Sequence, residues 1–115
     1  MKLMIVDDNK DVRMFLRCLF EDTADQIFEC SDGLTAVMDY EKHRPDYVLM
    51  DIEMKRMDGL TATEIIIKEN PAAKIIIITS HNNQNLRNAT AALGAKAFVT
   101  KDNLFELEEI INKEK

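Results

Sequence analysis

"KIIIITS", Lys74 to Ser80, sets four consecutive isoleucines between a lysine and two hydroxyl residues. β-Branched side chains are stiff about χ1 and favour the pleated strand. A strand with one solvated face alternates apolar and polar residues, so an unbroken run points to cover on both faces. Helices on either side of a parallel sheet provide that cover. Working outward, four more apolar runs have strand length: Leu3–Val6, Ile27–Cys30, Tyr47–Met50 and Ala97–Val99.

Helix-like segments lie between the runs. Val12, Phe15, Leu16, Leu19 and Phe20 follow an i, i+3, i+4, i+7, i+8 stripe. Leu34, Val37 and Met38 mark a second helix that stops before Pro45. A third is expected from Gly59 to Asn70, with Asp58 as N-cap and Pro71 just past its end. A fourth spans roughly Asn83–Leu93 and ends at Gly94, and a fifth carries Leu104, Leu107 and Ile111. Strands alternating with helices imply right-handed βαβ units, hence an α/β domain with a doubly wound parallel sheet. Flavodoxin-like and classic doubly wound strand orders both satisfy this pattern, and both place ligands beyond the carboxyl ends of the strands.

With 115 residues the chain reads as one domain, 1–115, able to bury about two-thirds of its extended surface. Its 46% hydrophobic and 31% charged composition is that of a globular protein. No apolar run approaches the ~20 residues of a membrane span, so no membrane insertion is expected. Asp7 and Asp8 interrupt any secretory h-region. A net charge of −6 argues against direct nucleic-acid binding, which needs a basic face. Cys18 and Cys30 are read as buried core thiols of a cytoplasmic protein. The charged helix end "INKEK" suggests that no output domain follows in this chain.

Chemistry gathers at the strand ends. The first strand runs into Asp7-Asp8, the third into Asp51, the fourth into Thr79-Ser80 and the fifth into Thr100-Lys101; Ser31-Asp32-Gly33 after the second resembles an ordinary turn. Singly, each has a plain role as a helix cap, a loop start or a solvated charge. Jointly they would set three like charges on one partly buried rim. Two such charges ~4 Å apart repel by about 4 kcal/mol at an effective dielectric near 20. Protonation or a cation must relieve this. Oxygen-only ligands in a shallow, hydrated site suit Mg²⁺, whereas His43 and His81 have no zinc-type spacing to either cysteine. A metal beside a spare carboxylate, a hydroxyl and a lysine suits phosphoryl transfer, with Asp51 as oxygen nucleophile and Thr79 and Lys101 meeting phosphoryl oxygens.

The stretches "VDDNKDVR", "DYVLMDIEMKRMDG", "IIIITS" and "GAKAFVTK", in that order, resemble the response-regulator receiver domain of two-component signalling. The resemblance implies a (βα)5 fold with the flavodoxin-like strand order 2-1-3-4-5. It implies a phosphorylation-activated switch: Asp51 takes a phosphoryl group from a phosphohistidine of a sensor histidine kinase or phosphotransfer protein. Mg²⁺ would be held by Asp8, Asp51 and the backbone carbonyl of Glu53, with Asp7 acting through water. Thr79 and Lys101 would bind the phosphoryl group, Phe98 would be the aromatic that rotates inward, and Glu53 and His81 would tune hydrolysis. A downstream effector protein would dock on the fourth helix, fifth strand and fifth helix.

Two positions depart from the family pattern: Lys55 and Asp102 stand where proline is common. A cis bond without proline costs ~3 kcal/mol, so a trans bond is expected at Lys101–Asp102. Met50 and Met54 are read as packing at the site wall. "HNNQNLRNAT" is rich in asparagine, a mediocre helix former, so a fourth helix that responds to phosphate is expected. Two other readings use the same residues. One is an interaction module that is never phosphorylated. The other is a metal-dependent phosphatase with Asp51 as nucleophile, disfavoured by Glu53 where such enzymes place a second aspartate. A flavodoxin is poorer still, since "DDNKD" would repel a flavin phosphate.

Overall fold

The computed structural model describes residues 1–113; Glu114 and Lys115, the last two residues of the INKEK end, lie outside the described residues. Five strands, β1 (Lys2–Val6), β2 (Gln26–Cys30), β3 (Tyr47–Asp51), β4 (Ile75–Thr79) and β5 (Ala97–Thr100), alternate with five helices. The helices are α1 (Lys10–Phe20), α2 (Gly33–His43), α3 (Gly59–Glu69), α4 (Gln84–Ala92) and α5 (Glu106–Asn112), with a 3₁₀ turn at Lys101–Asn103 before α5. All strand pairs are parallel, in the order β2-β1-β3-β4-β5. The flavodoxin-like order implied by the family resemblance is the one the chain adopts.

Every residue of β3 and β4 is buried, which is why the isoleucine run needs no polar alternation. Successive side chains enter opposite layers. Met4, Val6, Val48, Met50, Ile75 and Ile77 meet Ala36 and Tyr40 of α2 and Ala62 and Ile66 of α3. Leu3, Ile5, Tyr47, Leu49, Ile76 and Ile78 meet Leu16 and Phe20 of α1 and Leu107 and Ile111 of α5. Each layer is continuous, so the sheet is held from both sides and its carboxyl rim has a rigid base.

Several local expectations need correction. Cys18 is exposed, and only Cys30 is buried; position 18 falls off the Leu16–Phe20 stripe, on the solvent side of α1. Phe15, placed on that stripe, is 40% exposed. In α2, Leu34 and Met38 are exposed, while Ala36 and Tyr40 face the sheet and Gly33 packs against the Met57 backbone. Neither Asp7 nor Asp8 caps α1. Asn9 does so, accepting from the amides of Asp11 and Val12, which leaves both aspartates for other work. Asp58 caps α3 as expected, through the Thr61 amide at 2.8 Å. Among the described residues no peptide bond is cis, so Lys101–Asp102 is trans.

Candidate functional site

Parallel register brings the strand ends together. Val6 of β1 lies opposite Met50 of β3, Asp51 opposite Ile78 of β4, and Thr79 opposite Thr100 of β5. One step further along each chain stand Asp7, Asp51, Thr79 and Lys101. Carboxylate oxygens of Asp7, Asp8 and Asp51 lie within 4.8 Å of one another. Asp7 is 1% exposed and Asp51 4% exposed, whereas Asp8 opens to solvent. The Lys101 ammonium reaches across, 2.9 Å from Asp7 Oδ2 and 3.2 Å from Asp51 Oδ1. Three carboxylates against one ammonium leave the ionised cluster at −2, the charge a divalent cation neutralises.

Protonation equilibria carry the strain. Burial, then the charge of Asp7, push the Asp51 carboxyl up to about 6, although Lys101 pulls the other way. Burial alone would lower Lys101, but the two carboxylates outweigh it and hold the ammonium above its ordinary range. Asp7 Oδ1 accepts from the Asn9 amide at 2.8 Å. Asp7 Oδ2 is buried with no aligned hydrogen-bond donor, its contact being the Lys101 charge. A buried carboxylate oxygen so poorly served, beside two others, fits a hard cation of the Mg²⁺ type.

Thr79 is buried at the end of β4, and its Oγ1 accepts from the His81 amide at 3.1 Å, leaving the hydroxyl hydrogen free to donate. His81 Nε2 meets the Glu53 carboxylate, so the loops after β4 and β3 meet above the rim. The loop carrying Glu53 is closed by the Gly59 amide donating to the Ile52 carbonyl at 2.8 Å. Phe98 is half-buried, with the Arg87 guanidinium of α4 over its ring at 4.5 Å. Met50 is fully buried and Met54 packs against the same layer. Lys101 and Asp102 turn the chain sharply into α5, and the Thr100 hydroxyl donates to the Asp102 carboxylate.

One residue important to this geometry escaped the sequence reading, which took Gly59 only as the first residue of a helix. A Cβ there would sit 1.8 Å from the Asp51 carbonyl oxygen. The Asp58-Gly59 pair just downstream of an apolar strand was the available signal, but without the fold nothing reveals what the glycine approaches.

A model of the response regulator receiver domain matches residues 3–113. The chain belongs to the response-regulator receiver family. The transcriptional regulatory protein YhcZ of Bacillus subtilis is 38% identical over 96% of this chain, which spans about half (52%) of that relative's length. The chemotaxis protein CheY of Listeria monocytogenes is 35% identical, with 88% of this chain and 86% of CheY covered. Among solved structures, the CheX–CheY–BeF3–Mg²⁺ complex of Borrelia burgdorferi superposes with a TM-score of 0.92 at 28% identity, covering all of this chain and 90% of that one. The chain is therefore a receiver domain of two-component signalling. Receivers bind Mg²⁺ at an acidic pocket, and this receiver gathers Asp7, Asp8 and Asp51 into an acidic cluster. Among the described residues, no helix is long and apolar enough to cross a membrane.

Proposed function

We propose that this receiver, the whole of residues 1–115, takes a phosphoryl group from the phosphohistidine of a sensor kinase or phosphotransfer protein onto Asp51. The observation that carries this is the buried carboxylate pair bridged by Lys101 Nζ at 2.9 and 3.2 Å. An Asp51 oxygen attacks phosphorus while the P–N bond breaks and its electron pair stays on the departing imidazole. With a pKa of about 6, Asp51 is mostly ionised at neutral pH and ready to attack. Lys101, turning from the carboxylates, and the Thr79 hydroxyl, donating its free hydrogen, then meet phosphoryl oxygens. Asp7, Asp8, Asp51 and the Glu53 carbonyl would hold Mg²⁺, which supplies charge neutralisation at phosphorus. Exposed Glu53 and His81 flank the site where an attacking water must enter and tune loss of the phosphoryl group.

Incubation with a small phosphodonor and Mg²⁺ should add one phosphoryl mass to the intact protein and none to Asp51→Asn. An unmodified parent under those conditions would favour the interaction-module reading, and steady turnover of a phosphate ester would favour a phosphatase.

The switch acts by population shift. Drawing Thr79 toward phosphate alters the packing at the end of β4, beside β5 and its Phe98. Arg87 over that ring couples Phe98 to α4, so α4, β5 and α5 form the output face for an effector protein. α4 is a nine-residue helix with Thr90 its sole buried residue, and Asn83 caps it through the Asn85 and Leu86 amides. Such a helix opens easily. Amide exchange over residues 82–88 is expected to slow on phosphorylation, and identical protection in both states would remove α4 from the switch.

A further inference from the structure

The loop between β3 and α3, which carries Glu53, has a second anchor. Arg56 stands in the left-handed region, φ 67°, a conformation that costs a non-glycine residue ~1–2 kcal/mol. Something must hold it there. Its guanidinium donates from Nε at 3.0 Å and Nη2 at 2.6 Å to Oδ2 of Asp32, and Nη2 also reaches Thr35 Oγ1 at 3.2 Å. Asp32 is itself buried and fixed, because its Oδ1 caps α2 through the Thr35 amide at 2.8 Å. Beside it the Gly33 amide donates to the Met57 carbonyl at 3.0 Å, and a Cβ at Gly33 would lie 2.3 Å from that oxygen. The turn after β2 and the loop after β3 are thus fastened at consecutive positions. Asp8, Ser31, Asp32, Lys55 and Arg56 line one cleft of ≈ 480 Å³, so the fastening shares a cleft with Asp8, one of the three clustered carboxylates.

We propose that Arg56, through Asp32, is a positioning residue for the Mg²⁺ site: it holds the Glu53 segment at the distance from Asp8 and Asp51 that the ion requires. This rests on the proposed function above. Lys55 has an unrestricted φ, and its carbonyl closes a tight turn around Arg56 by accepting from the Met57 amide at 2.8 Å; the guanidinium fork ties that turn to a helix cap on the neighbouring element. The Arg56 side chain is 61% exposed, and a pair so solvated contributes little to global stability. Its effect should appear instead in the affinity of the ligand set it orients, in the way that residues behind metal ligands typically alter affinity by ~10–100-fold.

The test titrates Mg²⁺ alone into parent, Arg56→Gly, Asp32→Asn and the double variant by calorimetry, with metal-free melting temperatures measured alongside. Glycine accepts the left-handed backbone, so Arg56→Gly removes the fork without adding strain. Asparagine keeps the α2 cap oxygen while losing the charge. The expected result is a Kd raised about tenfold by Arg56→Gly, a smaller rise with Asp32→Asn, no further loss in the double variant and unchanged metal-free melting. An Arg56→Gly Kd equal to the parent's would overturn the brace while leaving the proposed function intact. A Kd that tracks a fall in metal-free melting, with additive losses in the double variant, would overturn it as well. A parent that takes up no Mg²⁺ would overturn both readings.

Discussion

Gly59→Ala is expected to destabilise the protein by about 3 kcal/mol, although helix propensity alone favours alanine over glycine by about 1 kcal/mol inside a helix. The clash decides the sign. A Cβ at position 59 would meet the Asp51 carbonyl oxygen at 1.8 Å, its carbon at 2.8 Å and the Ile52 Cα at 2.9 Å. All three are backbone atoms of the Asp51–Ile52 segment, and none can turn aside as a flexible side chain would. Relief therefore displaces either the start of α3, whose Gly59 amide bonds the Ile52 carbonyl, or Asp51 itself. Urea denaturation should show a lower midpoint with an unchanged slope, and phosphoryl uptake should fall in parallel. A variant as stable as the parent would show that the β3–α3 loop yields at no cost.

Asp51→Asn should have the opposite effect on stability, and the effect should depend on pH. Asp51 titrates at about 6 in the folded chain against an ordinary 3.8, so the native state binds the proton more tightly than the unfolded state does. Stability contributed by that proton is full below the ordinary value and is lost as pH rises through this window. Above it, the ionised carboxylate costs about 2–3 kcal/mol, at 1.36 kcal/mol per pKa unit. Asparagine cannot ionise. In chelator at pH 7 the variant should be more stable than the parent by about 2 kcal/mol, the remaining ion pair of Lys101 with Asp7 limiting the gain. Near pH 4 the difference should shrink toward nothing. Added Mg²⁺ should raise the parent more than the variant, because a ligand that binds only the native state stabilises it in proportion to its affinity. Equal stability of the two proteins across this pH range would mean that the carboxylate cluster is not strained.

Strain of this kind is what a phosphoacceptor needs. A carboxylate held among like charges gains from any cation that enters and from conversion to an acyl phosphate whose charge moves outward to Lys101 and Thr79. The same residues thus explain why the metal-free rim is unfavourable and how the proposed phosphorylation would move the loops around it. Arg87 over Phe98 and the His81–Glu53 pair are the contacts this rearrangement would have to break or keep.

Much of this was legible in the residues. Four isoleucines in a row dictated a strand covered on both faces, because no alternation means no solvated side. Asp7-Asp8, Asp51, Thr79 and Lys101 each follow a strand, and a parallel sheet leaves no choice about the edge on which those positions gather. Asp58 as a cap and Gly94 at the end of α4 were readable too, since capping depends on neighbours in sequence. Other features were not. Cys18, Leu34 and Met38 are exposed because hydrophobicity alone does not reveal which face a helix turns to the sheet.

Local sequence by itself determined the elements, their alternation and the kind of chemistry at their ends, because these depend on side-chain type and period. Only the tertiary structure decided how near the charges lie, that Asn9 and not an aspartate caps α1, that Gly59 touches the Asp51 backbone, and that Arg56 reaches Asp32. Those facts depend on which segments become neighbours. Contact across 24 residues, as between Arg56 and Asp32, leaves no periodic trace in a single sequence, while its energy falls steeply with distance.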